Sequence, residues 1–180
     1  MLFLLAIAFG IALGLLGGGN LSNLARLKFR WPLVLVGAVL MRYIVIFTPL
    51  SRADGAQYVY AVSLAVIVLW TVLHLRLLPG VWLVTLGGVS NLLVVLANGG
   101  RMPVDATLAA NQLGGVLAHR GHIGQYTVMG PDTHLGFLGD WLSFGLLPEA
   151  YSLGDILIAM GVALVILISL HRLPDSEVVP

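Results

Sequence analysis

Few residues in this chain have the means to do chemistry, and they stand near the ends of apolar runs. Asn98-Gly99-Gly100-Arg101-Met102-Pro103 sets a side-chain amide, two glycines, a fixed cation and a proline directly after the apolar stretch Ser90 to Ala97. Such a group can hold an anion, because guanidinium donors are forked and glycine lets backbone N–H groups come close. Two acids follow in a repeated triplet, Leu138-Gly139-Asp140 and Leu153-Gly154-Asp155. Each glycine permits close backbone approach, and each acid is expected to open a helix, where the dipole favours negative charge. Asp140 or Asp155 could act as a base, as a countercharge, or as the partner that pins Arg101. Within the apolar runs stand Arg42 and Asn91. An arginine near mid-bilayer costs about 2.5 to 3.5 kcal/mol on insertion scales, and Asn91 on a neighbouring helix could accept its hydrogen bond.

Other chemistries are poorly served. The chain has no cysteine, so disulfides, thiolate metal sites and cysteine nucleophiles are out. His119, His122 and His134 with Asp132 suggest a metal set, but Arg120-Gly121 argues against the helix that would face the first two together, so no metal site and no cofactor is expected. No Ser-His-Asp order, phosphate-binding glycine loop or zinc-protease helix motif is present. A net charge of +1 over 180 residues, with nine scattered Lys and Arg, argues against nucleic acid as a partner.

The elements that position these residues read as membrane helices. Hydrophobic residues make up 59% of the chain and charged ones 9%, with a mean hydropathy of +1.00, against roughly a quarter charged in globular domains. The partner in first place is therefore the lipid bilayer. The expected architecture is a single all-α membrane domain over 1–180, with spans near 1–17, 32–50, 58–73, 81–97 and 152–170 and a long segment at 98–151. Pro32 suits a first helical turn, and Trp31, Tyr58, Tyr60 and Trp70 suit the interfaces. Ala6, Gly10, Gly14 and Gly18 recur every four residues, a face for close helix contact within the chain or, through the glycines, in a homo-oligomer or larger membrane complex.

Arg26, Lys28, Arg30, Arg76 and Arg172 fall on one side of such a bundle, while Arg52 and Arg101 fall on the other near span ends. The positive-inside rule then gives N-out, C-in, with 98–151 outside the cell. There Asp105 can cap a short helix over Ala106 to Ala118 whose Leu108, Leu113, Val116 and Leu117 form an apolar face, weakened by Gly114-Gly115. Leu135 to Leu147 is apolar but short and broken by glycine, which suits a re-entrant or interfacial piece.

Asn98-Gly-Gly-Arg101-Met-Pro103, Thr133-x-Leu135-x-x-Leu138-Gly-Asp140 and Ser152-Leu-Gly-Asp155-Ile-Leu-Ile, in that order, resemble an uncharacterised bacterial membrane-protein family, the domain of unknown function five-three-one-seven. The resemblance implies a small multi-span bacterial membrane protein with a polar outer segment, and it carries no particular activity over to this chain. Three functions then compete. The first is a non-enzymatic subunit or scaffold, with Arg101 latched to Asp140 or Asp155. The second is an outer-leaflet site for an anionic or lipid-linked ligand built on Asn98, Gly99, Gly100 and Arg101. The third is a small transporter acting as an oligomer, with Arg42, Asn91 and Asp155 on its path.

Overall fold

A computed structural model describes residues 1–180 except 54, 111–114, 146, 148 and 172–180. Leu113, Gly114 and Arg172 of the sequence reading lie outside the described residues. The molecule is mostly helical. Five apolar helices form its body: α1 (Leu2–Leu16), α2 (Pro32–Phe47), α3 (Ala56–Leu73), α4 (Val81–Ala97) and α7 (Leu153–Leu170). Two of them, α3 and α7, are long and apolar enough to cross a membrane. The other three are equally apolar but stop at 15, 16 and 17 residues. Pro32 opens α2 in its first turn, as its fixed φ allows. That helix ends at Phe47 rather than Leu50, because Thr48 is extended and Pro49 starts a separate 3-10 turn.

The helices pack in the spatial order α1, α7, α4, α3, α2. Glycine sets the tight contacts. Gly10 and Gly14 are the only buried residues of α1, and a Cβ on Gly10 would lie 2.8 Å from the Ala163 carbonyl oxygen. The small-residue face of α1 is thus taken by α7 of the same chain. Gly18, its fourth expected member, instead has φ +84 with open space around it and serves the turn that follows.

At one end of the bundle the short turns converge. Asn23 donates to the Leu170 carbonyl at 2.8 Å, and the Arg30 N–H donates to His74 Nε2 at 3.0 Å. At the other end residues 98–152 form a cap, and here the all-α expectation needs correction. The cap holds β1 (Met102–Val104), β2 (His122–Ile123), β3 (Tyr126–Val128), β4 (Leu142–Ser143) and β5 (Ala150–Tyr151). Strand β1 runs parallel to β3 with Met102 opposite Tyr126, β2 and β3 form a hairpin, and β4 pairs antiparallel with β5. The helix expected over Ala106 to Ala118 is two short pieces, α5 (Ala106–Ala109) and α6 (Val116–Arg120). Asp105 does cap the first, accepting from the Thr107 N–H at 2.8 Å. Leu135 to Leu147 contains no helix of spanning length among its described residues. It makes a 3-10 turn at Gly136–Leu138 and then β4, since glycine and the pairing to β5 break the run. Val104, Ala109, Leu117 and Ala150 give the cap a small core of its own.

Candidate functional site

The Asn98-Gly-Gly-Arg sequence ends α4 and aims the next residue. Gly99 takes φ +64, and the Gly100 N–H reaches back to the Val95 carbonyl at 2.9 Å, which closes the helix in a left-handed cap that glycine adopts without strain. Gly100 lies against the first turn of α3, where a Cβ would come 3.1 Å from Gln57 Cγ. The Asn98 amide is fully engaged: it donates to the Val94 and His134 carbonyls at 2.8 and 2.7 Å and accepts from the His134 N–H at 3.0 Å. Asn98 therefore clasps the cap to the end of α4, and the Gly100 amide is bonded internally.

Arg101 turns the other way. With Arg120, His122, Gln57 and Ser51 it lines a polar cavity of about 270 Å3 at the start of α3, and no carboxylate is among the described lining residues. The β-sheet builds this wall. Pairing of β1 with β3 sets Arg101 beside the β2–β3 hairpin, whose His122, Ile123 and Gly124 face the cavity. Two polar atoms at the cavity are buried without partners, Arg101 Nε and Gln57 Oε1, and Gln57 is only 9% exposed. The only ion pair among the described residues joins the N-terminal amine to Glu149 at 2.8 Å, so Arg101 pairs with neither Asp140 nor Asp155.

The two acids belong to a second polar group between cap and bundle. Arg42 donates through Nε to Gln125 Oε1 at 3.1 Å and lies 4.8 Å from the centre of the Tyr60 ring. The hairpin residue Gln125, 2% exposed, thus supplies the partner expected of Asn91. Because α2 stops at Phe47, Arg42 stands five residues from its end, about 8 Å along the axis, rather than midway. Asn91 instead joins α4 to α7, donating to Asp155 Oδ1 at 2.9 Å and accepting from the Ser152 hydroxyl at 2.8 Å.

The repeated triplets have different roles. At Ser152-Leu-Gly-Asp155 the serine and the acid form a reciprocal cap at the start of α7. Gly154 admits Asn91, since a Cβ there would stand 2.0 Å from its Oδ1. At Leu138-Gly-Asp140 there is no helix start. Asp140 extends the cap strands, its N–H donating to the Pro103 carbonyl at 2.8 Å and its carbonyl accepting from the Asp105 N–H at 2.9 Å. Its carboxyl is 5% exposed with Oδ1 unpartnered. Burial above all, and next the charge of Asp155, push that carboxyl well above the usual carboxylate range, while Arg42 opposes them more weakly.

The six residues grouped by sequence thus divide between Arg101 at the cavity, Asn98, Gly99 and Gly100 at the helix stop, and Asp140 with Asp155 near Arg42. Sequence reasoning missed Gln57, Gln125, Ser152 and Arg120 as site residues. Gln57 closes the polar turn Ser51 to Gln57 in the sequence, so nothing there singled it out. The histidines separate: His122 lines the cationic cavity, while His134 lines a shallower one with Asp132 and Asn98.

A model described as a family of unknown function (DUF5317) matches residues 26–167. The chain belongs to DUF5317. The matched DUF5317 region begins at Arg26 and takes in both polar groups, leaving α1 and the end of α7 beyond it. No curated protein and no solved structure matches the chain.

Proposed function

We propose that this DUF5317 protein is a multi-pass protein of the bacterial cytoplasmic membrane whose extracytoplasmic cap binds an anionic ligand. Five spans, N-terminus out and C-terminus in, account for side chains that water would not tolerate. In α1 only glycines are buried while Leu4, Phe9 and Leu16 are exposed, and α2 exposes Leu33, Leu40 and Phe47. A helix that hides glycine and presents leucine is built for lipid. A groove of about 600 Å3 between α1, α4 and α7, lined by Leu5, Phe9, Leu83 and Met160, offers the same apolar surface. Shorter helices of 15 to 17 residues fit a bilayer thinned at their ends or met by flanking aromatics.

The observation that carries the binding reading is the cavity holding Arg101, Arg120 and His122 with no described carboxylate on its wall. The N-terminus of α3, with Ala56 and Gln57 on the wall, turns the positive end of its dipole to the cavity, which favours an anion further although the Ala56 N–H itself donates to the Ala53 carbonyl. The Gln57 amide presents an N–H to such a ligand after a half-turn about its last bond. A latch between Arg101 and Asp140 or Asp155, as the scaffold reading requires, has no ion pair to support it.

The test is calorimetric titration of the full chain in detergent with inorganic phosphate and, separately, native mass spectrometry with an anionic phospholipid. Removing one charge-assisted contact is worth about 1.5 to 3 kcal/mol, so Arg101→Ala should weaken binding by roughly 10- to 100-fold. Arg26→Ala, at the opposite end, should leave it unchanged. Equal binding by folded Arg101→Ala overturns the reading. Asp54→Asn removes the acid that follows Ala53 in the sequence, and binding at least as tight as the wild type is expected in that variant.

A further inference from the structure

The polar group between cap and bundle holds more carboxyl than its one cation can balance. Arg42 from α2, Tyr60 from α3, Tyr126 from β3 and Asp155 from α7 face Asp140 within electrostatic reach. Neither acid forms an ion pair with Arg42. If both were ionised, a group in which Asp140 is buried and Arg42 and Asp155 partly so would carry a net negative charge, and like charges in such a setting favour one acid taking a proton. The hydrogen bonds decide which. Asp155 accepts from Asn91 Nδ2 at 2.9 Å and from the Ser152 N–H at 3.1 Å, and it lies in the first turn of α7, whose dipole favours negative charge. Asp140 has no such support: Oδ1 accepts nothing, and both its backbone groups are fixed into the cap strands.

We propose that Asp140 is a proton-binding site, carrying the single proton that balances Arg42, Asp140 and Asp155, and that loss of this proton loosens the cap from the bundle. Both backbone bonds of Asp140 run to the strand segment that follows Arg101, so a second negative charge there would act on the element that carries the anion cavity. The sign follows from burial, which favours the neutral acid in the folded state. The stabilisation is complete below the unfolded value of about 3.9 and is lost as pH rises through the higher folded value. The cap should therefore loosen in alkali.

Infrared spectroscopy of the full chain in lipid nanodiscs reads this directly. At neutral pH the wild type should show the C=O stretch of a protonated carboxyl, absent in Asp140→Asn and retained in Glu149→Gln, whose acid is exposed. Asp155→Asn should weaken the band, because Asp140 then supplies the charge that answers Arg42, and Arg42→Gln should strengthen it. A wild type without the band, or a band unchanged in Asp140→Asn, overturns the proposal, as does a band indifferent to both Asp155→Asn and Arg42→Gln. Hydrogen exchange on the wild type needs no variant. Protection of the Asp105 and Asp140 amides, corrected for the intrinsic rate, should fall by up to about tenfold per pH unit between the unfolded value of about 3.9 and the carboxyl's folded value, and level off above it. Protection independent of pH into the alkaline range would equally refute it.

Discussion

The contact between α4 and α7 is a quantitative test of how this bundle is built, and Gly154→Ala is the perturbation. A Cβ at Gly154 would stand 2.0 Å from Asn91 Oδ1 and 2.6 Å from both Asn91 Cγ and the Gly87 carbonyl oxygen. Gly154 is helical, so alanine meets no backbone strain and should gain up to about 1 kcal/mol of helix propensity. Two responses to the overlap are open. If the helices part, overpacking costs about 1 to 3 kcal/mol. If Asn91 swings away, it gives up a neutral bond to Ser152, worth about 1 kcal/mol, and a bond to Asp155, worth about 1.5 to 3 when the acceptor is charged. After a full propensity gain the first response leaves a loss of about 0 to 2 kcal/mol and the second about 1.5 to 3, read as the midpoint of denaturant unfolding in mixed micelles. Gly37→Ala is the control, because nothing lies within 4 Å of its Cβ position, and it should be neutral or stabilising. The decisive arm is the double variant. Once Asn91→Ala has removed the obstructing amide, Gly154→Ala should cost less than it does in the wild type, the remainder being the Gly87 carbonyl at 2.6 Å. Additive losses, or a Gly154→Ala protein more stable than the wild type, would refute the account of Gly154 as the notch that admits Asn91.

Two other outcomes follow from the clasps at either end. His74 is fully buried, with Nε2 accepting from the Arg30 N–H at 3.0 Å, Nδ1 bonded to the Trp70 carbonyl at 2.7 Å and its ring stacked on Trp70 at 3.7 Å. His74→Phe keeps the stacking but strands the Arg30 N–H, so it should lower stability by about 1 to 3 kcal/mol and speed trypsin cleavage at Arg30. Asn98→Ala removes three hydrogen bonds and should raise hydrogen exchange over 130–134 by roughly tenfold or more, equivalent to about 1.4 kcal/mol. Phosphate affinity should not change in that variant, since Asn98 is not on the cavity wall; a large loss of affinity would make Asn98 a ligand-orienting residue after all.

What could be read from sequence alone was whatever one helix decides for itself. The five apolar runs became five helices, Pro32 opened α2, and Asp155 took its place in a first turn, because composition and local capping suffice for these. The strands were not legible. They are two or three residues long, too short for alternation, and they exist only because β1 meets β3 across a loop and β4 meets β5. For the same reason the direction of Arg101 was hidden. Opposite charge suggested Asp140 or Asp155 as its partner, but charge says nothing of register, and the pairing of Met102 with Tyr126 turns Arg101 toward the hairpin. Arg42 and Asn91 were legible as polar residues in apolar runs but not as members of separate networks. Their partners, Gln125 and Ser152, are 83 and 61 residues away.

The hairpin tip explains why these two polar groups belong to one design. Gly124 faces the cationic cavity and anchors to the 3-10 turn before α3, its N–H donating to the Ser51 carbonyl at 3.1 Å. The next residue, Gln125, turns inward to Arg42, while its backbone carbonyl accepts from the Met102 N–H at 2.6 Å. One turn thus separates a cavity with surplus positive charge from a cluster with surplus carboxyl. A glutamate at 125 would bond Arg42 equally well in shape, but it would add a third acid to one cation and set a negative charge beside the anion cavity. The neutral amide holds the guanidinium in place without cancelling its charge. That leaves the field of Arg42 to Asp155, leaves the proton to Asp140, and keeps the cavity on the far side of the turn positive.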